Sequence, residues 1–293
     1  MELQLSQQQM LLKNTIEKVC KDYCKLEILR EIEDTKKGFS GEFWNQLVSL
    51  GLTGINIPTK FGGSDMGLLD QAIIYEEFGR ALALSPHLTS SIICPYLINK
   101  LGSDSQKEEI LPSIVSGETI ISLAWLEEGS SFYKNGINLT LTKNDENYLI
   151  NGKKHMVPYA SEANKILLLC KKEDEIIAAI LDSEQAGLTF KYQENHAKTS
   201  MYEVIFKNVE IEEVNLIQKK NFWDIWHEIT YISQILISAE ASGGSERSLY
   251  IGRDYSLERE AFGQQIGTFQ SIAHYLADGF VEVEANKLRT NQA

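Results

Sequence analysis

Tyr255-Ser256-Leu257-Glu258-Arg259-Glu260-Ala261-Phe262-Gly263-Gln264-Gln265-Ile266-Gly267-Thr268-Phe269-Gln270 stands between two long helical stretches. One is predicted from near Asn221 to about Tyr255, the other from about Phe269 to the end. Phe262-Gly263 reads as a helix stop with a glycine, and Gln270 as a polar residue at a helix start. On the second stretch Ile272, Leu276, Phe280, Val283 and Leu288 line one apolar face, which two helices alone do not bury. Either another chain completes the bundle, or the exposed face drives oligomerisation or aggregation.

Toward the N-terminus the period changes. Ile120 to Trp125, Lys165 to Cys170, Ile176 to Leu181, Gly187 to Lys191 and Glu203 to Phe206 read as strands at the spacing of a small barrel or sandwich. Tyr148-Leu149-Ile150 leads into Asn151-Gly152, a hairpin-turn signal. Before Ser116 the pattern is helical again. Ser6 with Gln9 forms a capping box ahead of Leu11, Thr15, Val19 and Tyr23 on one face. Ser40 caps a second helix through Phe43, Trp44, Leu47 and Leu50, stopped by Gly51. A loop rich in turn residues follows from Pro58 to Asp65. Further helices are predicted over Asp70–Leu82, Leu88–Leu101 and Asp104–Val115, the last interrupted at Pro112. The fold class is α+β: an N-terminal helical domain (1–117), a middle β-barrel-like domain (118–217) and an incomplete C-terminal bundle (218–293).

Composition narrows the function. With 293 residues, 43% hydrophobic and 24% charged, the chain is of ordinary globular type, with length for roughly two domains. The 28 Lys and Arg against 41 Asp and Glu leave −13, the wrong sign for nucleic acid. No apolar run is long enough for a membrane span, and the first residues lack a secretory pattern, so the expected location is cytoplasmic. Cys20, Cys24, Cys94 and Cys170 suit a reducing compartment; Cys20 and Cys24 share a helix face but have no partner ligands, and they read as structural thiols. No metal site is expected.

The stretch from Tyr255 to Gln270 resembles the signature of the acyl-CoA dehydrogenase family, Tyr-x-x-x-Arg-x-x-Phe-Gly followed by Phe-Gln. Further pieces resemble that family in order: Leu50-Gly51-Leu52 with Pro58 and Gly62-Gly63, Glu76-Glu77-Phe78-Gly79-Arg80, Leu101-Gly102-Ser103, Leu111-Pro112, Gly117-Glu118, Asn151-Gly152-Lys153-Lys154 and Phe206-Lys207-Asn208-Val209. The resemblance implies the same three-part fold, and FAD as the cofactor. It also implies dehydrogenation of an acyl-CoA thioester across Cα–Cβ, with a carboxylate taking the α-proton, oligomer formation and an electron-transferring flavoprotein as electron acceptor.

Carried over by position, Arg259 would meet the FAD pyrophosphate of an adjacent subunit, which a guanidinium suits by donating to two oxygens at once. Phe262-Gly263 would shape the turn near the dinucleotide, and Gln270 would make a further FAD contact. Other positions depart from the pattern. Leu126 replaces a threonine in Leu126-Glu127-Glu128-Gly129-Ser130-Ser131-Phe132, where the family holds flavin and phosphates. Met156-Val157-Pro158 replaces an aromatic-x-Thr/Ser that packs on the flavin ring. A branch of the family carries Val-Pro at that place, and backbone amides at Gly129 and Val157 can still serve as donors. The base falls either beyond Ala293 or, in another branch, at Ser233, beside an arginine position that is Gln234 here. Glu240 lies two turns on, about 10 Å along the axis, and reads as a helix-face carboxylate. Two functional expectations result: an acyl-CoA dehydrogenase-like flavoprotein, alone or in a hetero-oligomer, or a non-catalytic subunit that completes a related partner's FAD site.

Overall fold

The computed structural model describes residues 5–293. Eight α-helices and ten strands alternate as helices, strands, helices among the described residues. The elements are α1 (Gln7–Tyr23), α2 (Leu26–Glu33), α3 (Gly41–Ser49), α4 (Leu68–Ala81), α5 (Cys94–Leu101) and α6 (Asp104–Val115), then β1 (Ile121–Ala124), β2 (Leu141–Asn144), β3 (Asn147–Pro158), β4 (Lys165–Lys172), β5 (Glu175–Asp182), β6 (Leu188–Tyr192), β7 (Met201–Ile211) and β8 (Leu216–Ile217). They end with α7 (Phe222–Glu258), β9 (Glu260–Ala261), β10 (Gln264–Gln265) and α8 (Gln270–Gln292). The α+β class holds. The chain divides into two compact units, one of Met1–Lys25, Gly67–Ala83 and Ile232–Ala293, the other of Leu26–Met66 and Leu84–Tyr231.

In the first unit α1 begins as its capping box dictates: Ser6 Oγ accepts from the Gln9 N–H, and the Gln9 side chain accepts from the Ser6 N–H. Its buried face is Ile16, Val19 and Cys20, whereas Leu11 is 69% exposed. The expected face at strict four-residue steps is therefore wrong at its start. At 3.6 residues per turn each such step drifts about 40°, so Leu11 swings away from Tyr23 by about a third of a turn. Helices α4 and α7 cross at backbone contact. A Cβ on Gly79 would lie 1.7 Å from the Glu240 carbonyl oxygen, and one on Gly243 would lie 1.8 Å from that of Glu76. Charges lock the crossing. Arg80 reaches Glu76 at 2.9 Å, Glu77 at 3.1 Å and also Glu246, while Lys287 of α8 reaches Glu246 at 2.5 Å and Glu76 at 3.1 Å. Of the predicted apolar face on α8, Val283 is buried, Ile272 and Leu276 are half-buried, and Phe280 and Leu288 stay exposed.

In the second unit α3 starts and stops where its signals stand. Ser40 Oγ accepts from the Phe43 N–H, and Gly51 adopts φ +71°. The predicted helix from Leu88 opens as a π-helical turn (Leu88–Ile93) before α5, and α6 runs through Pro112 without interruption. The acceptor that Pro112 leaves unpaired is the carbonyl of Glu108, an exposed residue, so the break costs little.

The strands form two four-stranded sheets, ordered β1-β4-β5-β8 and β2-β3-β7-β6. Their facing side chains, among them Ile150, Ile166, Leu168, Cys170, Ile177, Val204 and Phe206, make one core. Asn151-Gly152 is not a turn. It lies inside β3 at a bulge, where Gly152 takes φ +146° and Asn151 Oδ1 accepts from the Asn208 N–H at 2.8 Å. The hairpin turn is instead at Asp145, φ +51°, between β2 and β3. Bulge and turn draw on the same permissive residue types, and local sequence does not separate them.

Candidate functional site

The predicted site residues fall into two groups, one in each unit. In the second unit they gather at the end of β1 and the end of β3. Lys154 is fully buried there: its Nζ donates to Glu127 Oε1 at 2.8 Å and to the Trp125 carbonyl at 3.0 Å. Glu127 also accepts from the N–H groups of Asn138 and Leu139, at 2.9 and 3.0 Å. Burial pushes the Glu127 carboxyl up, but the hydrogen bonds from Lys154, Leu139 and Asn138 outweigh it and hold the group below its ordinary range. Burial also pulls the Lys154 ammonium down, against the pull of Glu127. This pair ties the segment that carries Leu126 and Gly129 to the strand that carries Met156, Val157 and Pro158.

Around that anchor the polar groups are paired within the unit. Leu126 offers no hydroxyl, and its carbonyl accepts from the His155 N–H at 2.8 Å. Met156 is a bulge residue at φ +51° with a half-exposed thioether. Its N–H donates to Gln193 Oε1 at 2.8 Å. Gln193 Nε2 lies 3.2 Å from His155 Nδ1, and His155 Nε2 faces Glu203 at 3.4 Å and Glu128 at 3.6 Å. Val157 is fully buried, and Pro158 brings no N–H and accepts from Ser122 Oγ through its carbonyl. Gly129 is an exposed residue in the left-handed region, with open space where a Cβ would stand.

An aromatic row borders this group. Trp125 sits 5.1 Å from Trp226 and 5.8 Å from Phe132, ring centre to ring centre, and Trp223, His227 and Tyr231 continue along one face of α7. Neither this row nor Gln193 belongs to the motifs that the sequence marks. The steps of four between Trp223, His227 and Tyr231 were available as a signal for the row; nothing local marks Gln193.

In the first unit Arg259, Phe262, Gly263 and Gln270 are brought together by a small hairpin. α7 ends at Glu258, the Arg259 N–H donates to the Tyr255 carbonyl at 2.9 Å, and the Arg259 carbonyl accepts from Ile266 at 2.9 Å. β9 and β10 pair Ala261 with Gln264 and Glu260 with Gln265, leaving Phe262 and Gly263 as the two turn residues at φ +55° and +82°. Two positive φ values are what a tight hairpin requires, and a phenylalanine pays for one of them with strain. Phe262 is 97% exposed, its ring 6.2 Å edge-on to Phe269, the residue that caps α8. Arg259 and Gln270 are exposed beside it.

The base positions hold no carboxylate: Ser233 is buried and Gln234 exposed. Glu240 is half-buried, and burial raises its carboxyl above the ordinary range. Its backbone forms the helix crossing at Gly79.

Known proteins match this arrangement along nearly its whole length. The acyl-CoA dehydrogenase N-terminal domain matches residues 6–118, and the acyl-CoA dehydrogenase C-terminal domain matches residues 223–293. Acryloyl-CoA reductase (NADH) of Anaerotignum propionicum is 27% identical over 95% of this chain and 73% of its own length. The mitochondrial isovaleryl-CoA dehydrogenase of Pongo abelii is 27% identical over 96% and 70%. In fold, the chain superposes on the crystal structure of the ChsE4-ChsE5 complex from Mycobacterium tuberculosis with a TM-score of 0.89 at 22% identity, covering 100% of this chain and 78% of that one.

Proposed function

We propose that this chain, which belongs to the acyl-CoA dehydrogenase family, works as one subunit of an FAD-dependent oxidoreductase that acts on an acyl-CoA thioester. The observation that carries this reading is the Arg259 hairpin. A strained, almost wholly exposed Phe262 beside an exposed arginine contributes nothing to this chain's own core, and it suits a surface completed from outside. FAD is the cofactor of the family. The residues present fit its phosphate end: Arg259 can donate to two phosphate oxygens, Gln270 adds an amide, and the Phe262-Gly263 turn keeps the backbone narrow. At the ring end the side-chain hydroxyls are missing, and backbone amides are the donors that the family pattern leaves. Leu126 and Pro158 lack hydroxyls, and the Met156 N–H is already bonded.

The division at 118 and 218 belongs to this reading, with Leu126, Gly129, Met156, Val157 and Pro158 assigned to the β part and Arg259, Phe262, Gly263 and Gln270 to the bundle. So does oligomerisation, for which the exposed Phe280 and Leu288 leave an apolar surface. A cytoplasmic location and an electron-transferring flavoprotein as acceptor complete the proposal; no described helix is long and apolar enough to cross a membrane. A second reading, in which a related partner removes the proton and this chain only completes its FAD site, is favoured by Ser233 and Gln234 at the base positions. The test is the visible spectrum of the purified assembly before and after anaerobic addition of a CoA thioester. Bleaching of a flavin band supports the reading; an assembly without flavin overturns it.

A further inference from the structure

We propose that Cys20 and Cys24 form a modification site: a thiol pair that a small disulfide, such as oxidised glutathione, converts to an intrachain disulfide at the end of α1.

Two cysteines four positions apart on a helix lie on one face, one turn above the other. Four rises of about 1.5 Å place their Cα atoms about 6 Å apart, inside the span of roughly 4.4–6.8 Å that a disulfide bridges. Here the side chains meet, and a hydrogen bond joins the two thiols. The pair stands where the helix stops. Cys24 is the cap residue, with φ −107° and ψ 42°, and its N–H still donates to the Cys20 carbonyl at 2.8 Å. A cap residue has no further turn to hold it, so this end of α1 can tighten enough to bring the sulfurs from contact to bond. The site also lies at a passage in the chain: Lys25 closes the first segment of one compact unit, and Leu26 opens the other. A Cys20–Cys24 bond fixes the backbone just before that passage.

The two sulfurs are unequal, which sets the order of events. Cys20 is buried, whereas Cys24 is the one thiol of the four that is not. A small disulfide therefore reaches Cys24 first. The Cys24 thiolate attacks one of its sulfurs, the S–S bond breaks, and one small thiol leaves. Cys20 is a poor nucleophile while the Cys24 thiol stands beside it: that hydrogen bond first, then burial, then the charges of Cys24 and Glu77 hold it well above the ordinary thiol range. Capping Cys24 removes the largest of these causes. Cys20 then gives up its proton, attacks the Cys24 sulfur and expels the second small thiol. Two protein thiols are oxidised to one disulfide, and one small disulfide is reduced to two thiols. Cys94 and Cys170 stay out of this exchange because both are fully buried, at the start of α5 and inside β4.

The test is a thiol count on the full folded chain after incubation with oxidised glutathione and removal of the reagent, read in denaturant together with the intact mass. The wild type should fall from four free thiols to about half that number, with a mass loss of two hydrogens. Cleavage after Lys21, which stands between the two cysteines, should leave their peptides joined, and dithiothreitol should restore the full count. Cys20→Ser should stop at the intermediate and carry glutathione on Cys24. Cys24→Ser should keep its remaining thiols. Melting curves show whether both variants fold; where one does not, the wild-type count and peptide map decide. A wild-type chain that keeps all its thiols, or that holds glutathione on Cys24 without closing, overturns the proposal. So does loss of Cys94 and Cys170 in place of the pair.

Discussion

The Lys154–Met156 region and the Arg259–Gln270 hairpin both carry polar groups and treat them in opposite ways. Around Lys154 an ammonium, a carboxylate and two backbone N–H groups satisfy one another inside the second unit, and Gln193 accepts from the Met156 N–H beside them. Around Arg259 the backbone bonds are made and the side chains are left outside. The contrast separates stability from service. A buried pair is expensive to break because each charge has lost its water, whereas an exposed group costs its own chain little when it is removed.

The largest expected effect lies in the buried region. Lys154→Met leaves Glu127 without its countercharge and should destabilise the fold by about 3–5 kcal/mol in denaturant unfolding. Pairing it with Glu127→Leu should recover much of that loss, and a double substitution no better than the single would break the comparison. Acid is the next lever. Glu127 has a folded pKa below its ordinary value, so its contribution is fully present above the unfolded carboxylate range and is lost as pH falls through the folded value. Melting temperatures measured downward from neutral pH should fall more steeply for the wild type than for Glu127→Gln. At the hairpin, Arg259→Gln should lower FAD retention in the assembly by about tenfold, the size of one charge-assisted contact. Its melting temperature should stay where it was. Smallest of all, Phe262→Asn should stabilise the isolated chain by up to about 1 kcal/mol, since asparagine tolerates φ +55° better than phenylalanine does. The same variant should weaken cofactor retention, and a loss of stability instead would show that Phe262 serves its own fold.

Much of the fold is legible in the residues. The Ser6–Gln9 box, Ser40 with Gly51, and the apolar runs of β4 and β5 stand where the structure uses them. Short elements escaped: β2 and β8 have too few residues to show a period, and α2 is a helix of only eight residues. Asn151-Gly152 misled because a bulge and a turn ask for the same residues. Among candidate site residues, Arg259 and Phe262 were legible through a contiguous motif, and the structure adds their exposure and strain. Gln193 was not legible, because its role depends on Met156 and His155, both more than 35 positions away.

The sequence by itself determined the helix caps, the strand runs, the order of elements and the Arg259 motif, because those signals act between residues a few positions apart. Only the tertiary structure decided which donors around Met156 are already bonded and which stay open at the hairpin. A hydrogen bond is satisfied by whatever atom the fold brings within about 3 Å, and that atom's place in the sequence is not fixed by its neighbours along the chain.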